Sequence, residues 1–280
     1  MAEIIAVSNQ KGGVGKTTTA VNLSAAMAIL GHKSLLIDMD PQGNATSAAG
    51  IDKRIVFPSI YNVLVDLAAI ETAVNSTDIP GYSVIGSGND LVGAESELAS
   101  AVAKESRLRG AIAAIRDKFD IIFIDCPPSL GVLTLNALNA CSRVLIPIQS
   151  EYYAMEGVAQ LMETINRVKK AWNPSIEIDG ILTMYDPRIV LANQVRSELS
   201  KFLGQRLFST LVPRNVRIAE APSFGKSIFS YDKNSRGAIA YLELAREMAA
   251  RLGMASGKNE STAQASQEPM PPAAAKETML

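Results

Sequence analysis

Between an apolar run and a helix-forming one, the chain carries Lys11-Gly12-Gly13-Val14-Gly15-Lys16-Thr17-Thr18. Ile4-Ile5-Ala6-Val7 precedes it, and a helical pattern from Ala20 to Leu30 follows. Strand, glycine-rich turn and helix is the context a phosphate-binding loop requires. Glycines let consecutive N–H groups turn inward around an anion without a Cβ clash, and the helix N-terminus adds its positive end. In such a loop Lys16 reaches the β- and γ-phosphates and the Thr17 hydroxyl ligates Mg²⁺. A glycine turn that merely joins strand to helix has no need of Lys-Thr right after the glycines. The pattern G-x-x-x-x-G-K-[ST] wants glycine where Gln10 stands, and a second lysine, Lys11, opens the loop. On local grounds Lys11 is either a solvated surface charge or one that serves something other than its own phosphates.

A length of 280 residues suits one large α/β unit plus a tail, and 48% hydrophobic with 20% charged residues allows a sizeable core. The net charge of −1 excludes a globally basic polyanion binder, so any nucleic-acid contact must come from a local patch. Cys126 and Cys141 cannot make a zinc site alone, do not form a disulfide framework and fit a reducing cytosol. One histidine, His32, leaves no basis for a His-dependent triad. Met1-Ala2-Glu3 has no basic leader and no run reaches membrane-span length, so a cytoplasmic location is expected.

Ser34–Asp38 reads as a buried parallel strand that runs into Met39-Asp40-Pro41-Gln42-Gly43-Asn44. Ligands of open α/β sheets bind at that carboxyl edge. Asp40 is either a turn former before proline or a functional group that polarises attacking water or senses Mg²⁺, and the phosphate loop favours function. Residues 51–117 read as helical except for a strand around Tyr82–Ile85, with helices over Ser59–Asp66, Glu95–Ala103 and Arg107–Arg116 and no chemistry assigned. Phe119–Asp125 is a second buried strand ending on an acid, the Walker B pattern, in which Asp125 holds Mg²⁺ directly or through water. Cys126-Pro127-Pro128-Ser129 then makes a rigid turn.

Strands at Arg143–Ile148, Ile178–Met184 and Leu207–Val212 alternate with helices. One helix carries the stripe Met155, Val158, Leu161, Met162, Ile165 and Val168, which marks a core face. The whole predicts an α/β fold with a doubly wound, mostly parallel sheet flanked by helices. A Pro213-Arg214-Asn215 turn past the Leu207–Val212 strand could hold a purine. Arg188, Arg217 and Lys226 are either scattered surface cations, the commoner use, or a phosphate-contacting patch. The last helix spans about Ser235 to Leu252, and composition then shifts to Ala, Ser, Gln, Pro and Thr. Residues 1–253 are expected to form one domain and 254–280 a disordered tail without the periodicity of an interfacial helix.

KGGVGKTTTAVNL, LLIDMDPQGNATS, IIFIDCPPSLGVLTLNAL, EYYAMEGVAQL and VPRNVRIAEAPSFGKSI are far more specific than a bare phosphate loop. With them the chain resembles the ParA/Soj family of chromosome- and plasmid-partitioning ATPases, P-loop proteins of the ParA/MinD group with a deviant Walker A motif. The resemblance covers about residues 1–253 and implies a P-loop NTPase fold, ATP and Mg²⁺ as cofactors, and an ATP-dependent homodimer. The loop residues Gly12, Gly13, Val14, Gly15, Lys16, Thr17 and Thr18 would hold the nucleotide, with Pro213 and Asn215 near adenine. Lys11 would act across the dimer interface, Asp40 in hydrolysis, and Thr17 and Asp125 on the metal. Arg188 and Arg217 match positions that bind DNA without sequence preference. A ParB-type centromere-binding protein would stimulate weak intrinsic hydrolysis, on the nucleoid and away from membranes. The loop's strand starts at the N-terminus of the sequence, which matches the short type, expected to lack an operator-binding domain. The alternative within the group is a MinD-type membrane-cycling ATPase, which should end in a basic amphipathic helix. A nitrogenase-iron-protein-like reductase and a small-molecule kinase fit the motifs less well.

Overall fold

The computed structural model describes residues 1–99, 101, 103–151 and 154–254. Apart from Met254, the expected tail 254–280 lies outside the described residues. The chain begins β1 (Glu3–Val7), α1 (Lys16–Ile29), β2 (Ser34–Asp38), α2 (Asn44–Ala48) and α3 (Ile60–Leu64). It continues with β3 (Val74–Ser76), β4 (Tyr82–Ile85), α4 (Leu91–Ala99), α5 (Arg107–Ala113), β5 (Ile121–Asp125) and α6 (Val132–Ala140). Then come β6 (Arg143–Gln149), α7 (Ala154–Ala171), β7 (Glu177–Tyr185), α8 (Val190–Leu203) and β8 (Leu207–Pro213). Short α9 (Val216–Glu220) and α10 (Ile228–Asp232) lead to α11 (Arg236–Arg251).

The eight strands form one sheet in the order β3-β4-β2-β5-β1-β6-β7-β8. All pairs are parallel except β3 with β4. The expected doubly wound sheet is therefore present, with an antiparallel edge strand, β3, inside the stretch read as helical. Three residues with one apolar member, Val74-Asn75-Ser76, carry too little periodicity to be seen. The helix expected over Glu95–Ala103 is displaced to Leu91–Ala99, and that over Arg107–Arg116 stops at Ala113. Cys141 stands in extended backbone just past α6, and both cysteines are buried and free.

Central strands are near-continuous apolar runs because helices cover both faces. Ile4, Ala6, Leu35, Ile37, Ile122 and Ile124 face a core closed by α3 to α8. Their alternating neighbours Ile5, Val7, Leu36, Ile121, Phe123 and Leu145 face a second core built on α1 and α11. The α7 stripe packs as expected, with Val158, Leu161, Ile165 and Val168 buried and Met155 and Met162 at the margin. β1 pairs with β5 on one side and β6 on the other, so the strand order reverses beside it. A crevice at the carboxyl ends of β1 and β5 follows from that reversal.

The edge strand β8 is sealed by α11. Glu247 accepts from Ser209 N and Thr210 N at 2.8 Å each and from the Thr210 hydroxyl at 2.7 Å. Arg251 donates to Glu247 at 2.7 Å and to Leu207 O at 2.9 Å, and its guanidinium lies 4.0 Å from the Phe208 ring centroid. An otherwise exposed strand edge is thereby closed to other chains. Partial burial pushes the Glu247 carboxyl up, but these donors outweigh it and hold it at about 2, against an ordinary 4.5. A carboxylate depressed in the fold stabilises fully above its unfolded value and stops doing so as pH falls through its folded one. Glu247→Ala is expected to cost on the order of 1–2 kcal/mol in urea unfolding at pH 7. The gap to the parent should shrink from about pH 4.5 down to about 2; a gap that does not change with pH contradicts the assignment.

Candidate active site

The loop between β1 and α1 is braced from neighbouring strands. Asn9 Nδ2 donates to Pro147 O at 2.8 Å and its Oδ1 accepts from Lys11 N at 3.0 Å. The Thr183 hydroxyl, near the end of β7, donates to Val14 O at 2.8 Å. Gly13 and Gly15 have φ of 74° and 88°, a left-handed backbone that glycine adopts without a Cβ penalty. Helix α1 starts at Lys16, four residues before the periodic run visible in sequence, so its free N–H groups face the turn. Lys16 Nζ, buried, donates to Lys11 O at 3.1 Å and so closes the loop on itself. Burial lowers its pKa, partly offset by Asp125, Cys126 and Asp40.

Asp125 ends β5 beside Val7 of β1 and Asp38 of β2. It is fully buried, and no hydrogen bond of good geometry reaches either carboxylate oxygen. Burial and then the charge of Asp38 push its pKa well up, against the pull of Thr17 and Lys16. Such an orphan is costly unless a cation offsets it. Among the described residues no group of three or more His, Cys, Asp or Glu side chains could hold a metal. A site with one carboxylate and one hydroxyl suits Mg²⁺, which keeps waters and shares phosphate oxygens. Thr17 and Asp125 therefore fit the metal assigned to them.

Asp38 escaped the sequence reading, which used it only as the end of a strand. Its carboxylate accepts from Thr46 N at 2.8 Å, the Thr46 hydroxyl at 2.7 Å and Asp40 N at 3.1 Å. Burial raises it to about 6, against those donors. The Thr46 hydroxyl accepts from Ser87 N, and the Ser87 hydroxyl donates to Asp40 O, both at 2.8 Å. The Asp40 loop is thus held from two sides. Asp40 Oδ1 accepts from Gln42 N at 2.9 Å in a local turn, and the residue lines the cavity of the phosphate loop.

That cavity, about 500 Å³, joins Gly12, Gly13, Gly15, Lys16, Thr17 and Thr18 to Pro213 and Asn215. Pro213 and Asn215 reach it because β8 ends beside β7, with Tyr185 opposite Pro213. Asn215 Oδ1 caps α9 by accepting from Ile218 N at 3.2 Å, which leaves its amide N–H groups for a ligand. Gly237 makes this wall possible, since a Cβ there would stand 2.4 Å from Ile218 Cδ1. Arg214, of the turn read as purine-holding, lines the cavity too, and so do Met184, at φ 49°, and Tyr241, which were not foreseen. The carboxyl-edge rule could have flagged Met184; nothing in sequence announces Tyr241, whose hydroxyl lies 3.2 Å from that of Thr19.

Three cations lie elsewhere. Lys11 Nζ is ion-paired with Glu151 and does not line the cavity its loop builds. Arg188 follows β7 and pairs with Asp186 at 2.6 Å, while Arg217 on α9 pairs with Glu220 at 3.0 Å and Asp232 at 3.6 Å. Both arginines stand on the carboxyl edge, outside the nucleotide cavity. Lys226, grouped with them in sequence, instead lines a cavity shared with Thr17, Thr18 and Lys53.

Because Asp125 is buried and unpaired, Asp125→Asn should stabilise the nucleotide-free protein by about 1–3 kcal/mol and abolish Mg²⁺-dependent nucleotide binding. A carboxyl raised in the fold costs stability as pH climbs above its unfolded value. The stabilisation should therefore be larger at pH 8 than at pH 5 in thermal unfolding. An asparagine variant that is less stable at both would show that Asp125 has a partner in the free protein.

The AAA domain family matches residues 2–178. The sporulation initiation inhibitor protein Soj of Bacillus subtilis is 50% identical over 251 residues, 89% of this chain and 99% of that protein. The chromosome partitioning protein ParA of Myxococcus xanthus is 48% identical over 252 residues, 90% of this chain and 89% of its own length. Among solved structures, cobyrinic acid a,c-diamide synthase from Mycobacterium smegmatis with bound ADP and magnesium superposes with a TM-score of 0.79 at 34% identity, covering 92% of this chain and 98% of that one. A deviant phosphate loop, an orphaned Walker B acid and near-full-length likeness to Soj and ParA agree: the chain belongs to the AAA domain family and, within it, to the ParA/Soj-type partitioning ATPases.

Proposed function

We propose that this chromosome-partitioning ATPase works as an ATP-dependent homodimer that binds DNA without sequence preference. Its place would be on the nucleoid in the cytoplasm, its partner a ParB-type centromere-binding protein that stimulates hydrolysis. The observation that carries the reading is Lys11, a loop lysine turned from its own cavity onto Glu151. ATP with Mg²⁺ is the cofactor pair, in keeping with the magnesium and ADP of the Mycobacterium smegmatis structure.

The backbone N–H groups of Gly12 to Thr18 cradle the phosphates, and Lys16 exchanges the Lys11 carbonyl for β- and γ-phosphate oxygens. Thr17 and Asp125 would hold Mg²⁺, which when bound offsets phosphate charge and relieves the buried carboxylate. Asp40 polarises a water whose oxygen attacks the γ-phosphorus as the bond to the β-bridging oxygen breaks, giving ADP and phosphate. Pro213 and Asn215 flank the adenine. A Cβ at Gly12 or Gly13 would meet nothing within 4 Å, so this face is open to a second backbone. Lys11, released from Glu151, would then reach the partner's phosphates and tie dimerisation to ATP. Arg188 and Arg217 would contact DNA, and pairing two protomers doubles the phosphates met, to which affinity is steeply sensitive. Among the described residues no helix is long and apolar enough to cross a membrane.

The test is binding to a random-sequence duplex with ATP, with ADP and with no nucleotide, at two salt concentrations, beside ATP turnover. ATP-dependent, salt-sensitive binding is expected, abolished in Arg188→Glu or Arg217→Glu. Lys16→Ala should fail to bind nucleotide, whereas Lys11→Ala should bind it and hydrolyse it about 100-fold more slowly. No DNA binding in any nucleotide state overturns the DNA reading; normal turnover in Lys11→Ala overturns the cross-dimer role.

A further inference from the structure

We infer that the groove between α8, the ends of β7 and β8, and α11 is a DNA-phosphate site whose cationic groups are Arg196 and Arg236. The inference rests on the DNA-binding reading above and deepens it. Arg188, Arg217, Arg196 and Arg236 divide into two kinds. Arg188 and Arg217 are neutralised by Asp186 and by Glu220 with Asp232, so either must give up an ion pair before it can meet a phosphate. Arg196 and Arg236 are exposed, belong to different helices, and form no ion pair with the described residues. Both line one groove of about 400 Å³.

The groove is built to present those charges. Tyr185 is buried at the end of β7, and its hydroxyl donates to Asn193 Oδ1 at 2.6 Å. Asn193 Nδ2 in turn donates to Pro187 O at 2.8 Å, which fixes the ring between strand and helix. The Arg196 guanidinium lies over that ring, 5.9 Å from its centroid. A stacked guanidinium keeps its N–H edge free for a phosphate, and its freedom is already partly restricted before binding. Arg236 enters from the start of α11, and Glu243, two turns further along the same face, supplies the only carboxylate among the described lining residues. Two guanidinium groups against one carboxylate leave a net positive groove. Pro213 lines both this groove and the nucleotide cavity, so the two sites share a wall.

The test uses the full chain with Mg²⁺ and a non-hydrolysable ATP analogue, and a random-sequence duplex followed by fluorescence anisotropy across about 50–200 mM salt. Each DNA phosphate that a variant no longer neutralises should lower the magnitude of the slope of log K on log salt by about 0.9. Arg196→Gln and Arg236→Gln should therefore each reduce it by roughly 1.8 in a two-protomer complex, equally on unrelated sequences. Glu243→Gln should tighten binding and increase the midpoint salt concentration, a gain that misfolding cannot produce. If the parent protein binds DNA but neither the arginine variants nor Glu243→Gln changes slope or affinity, the groove assignment is overturned while the DNA reading stands. If the parent binds no DNA in any nucleotide state, that reading fails and the groove assignment falls with it.

Discussion

The organising constraint is a set of charges buried where β1, β2 and β5 end together. Asp38 and Asp125 face each other in register, both fully buried, with Asp40 two residues beyond one and Lys16 close to the other. Burial pushes both carboxyls up and the ammonium down, so the free protein carries groups it would be cheaper to remove. Asp38 is satisfied by Thr46 and the backbone of Asp40. Asp125 is not, and its two unpartnered oxygens suit a cation. A cation bound with nucleotide at that carboxylate would recover the stability it costs, and so would couple nucleotide to fold.

The sheet makes this tolerable. Strands buried on both faces bring consecutive carboxyl ends into register within a hydrogen-bonded frame, and α1 and α11 hold the loop against it. α11 matters at both ends. Its C-terminal half seals the exposed edge of β8 through Glu247 and Arg251. Its N-terminal half supplies Tyr241 to the nucleotide cavity, room at Gly237 for the lining residue Ile218, and Arg236 to the neighbouring groove. One helix thereby links the stability of the sheet edge to the shape of the site.

The phosphate loop, the Asp125 strand and the alternation that predicts a parallel sheet were legible because each is local: a spacing, a period, a residue at a strand end. The turn at Pro213 and Asn215 was legible as a purine-holding one at a strand's carboxyl end, and family likeness pointed to the same pair, which lines the cavity of the phosphate loop. What stayed hidden depends on partners distant in sequence. Lys11 left two readings open in the sequence, and its pairing with Glu151, 140 residues away, could not be read there. Tyr241 meets Thr19 across 222 residues, and Ile218 fills the space that Gly237 leaves. Asp38 reads as a strand terminus, and only its bonds to Thr46, with Ser87 behind them, make it the anchor of the Asp40 loop. Arg188 and Arg217 show the converse: their positions were visible, their ion pairs were not.

The central claim is that nucleotide joins two protomers through the open glycine face and Lys11. Its most direct test is molar mass in solution, by light scattering, with Mg²⁺ and either ADP or a non-hydrolysable ATP analogue. The account predicts the 29.8 kDa chain as a monomer with ADP and twice that mass with the analogue, the doubling absent in Lys11→Ala. A single mass in both nucleotide states, or a doubling that survives in Lys11→Ala, would contradict it.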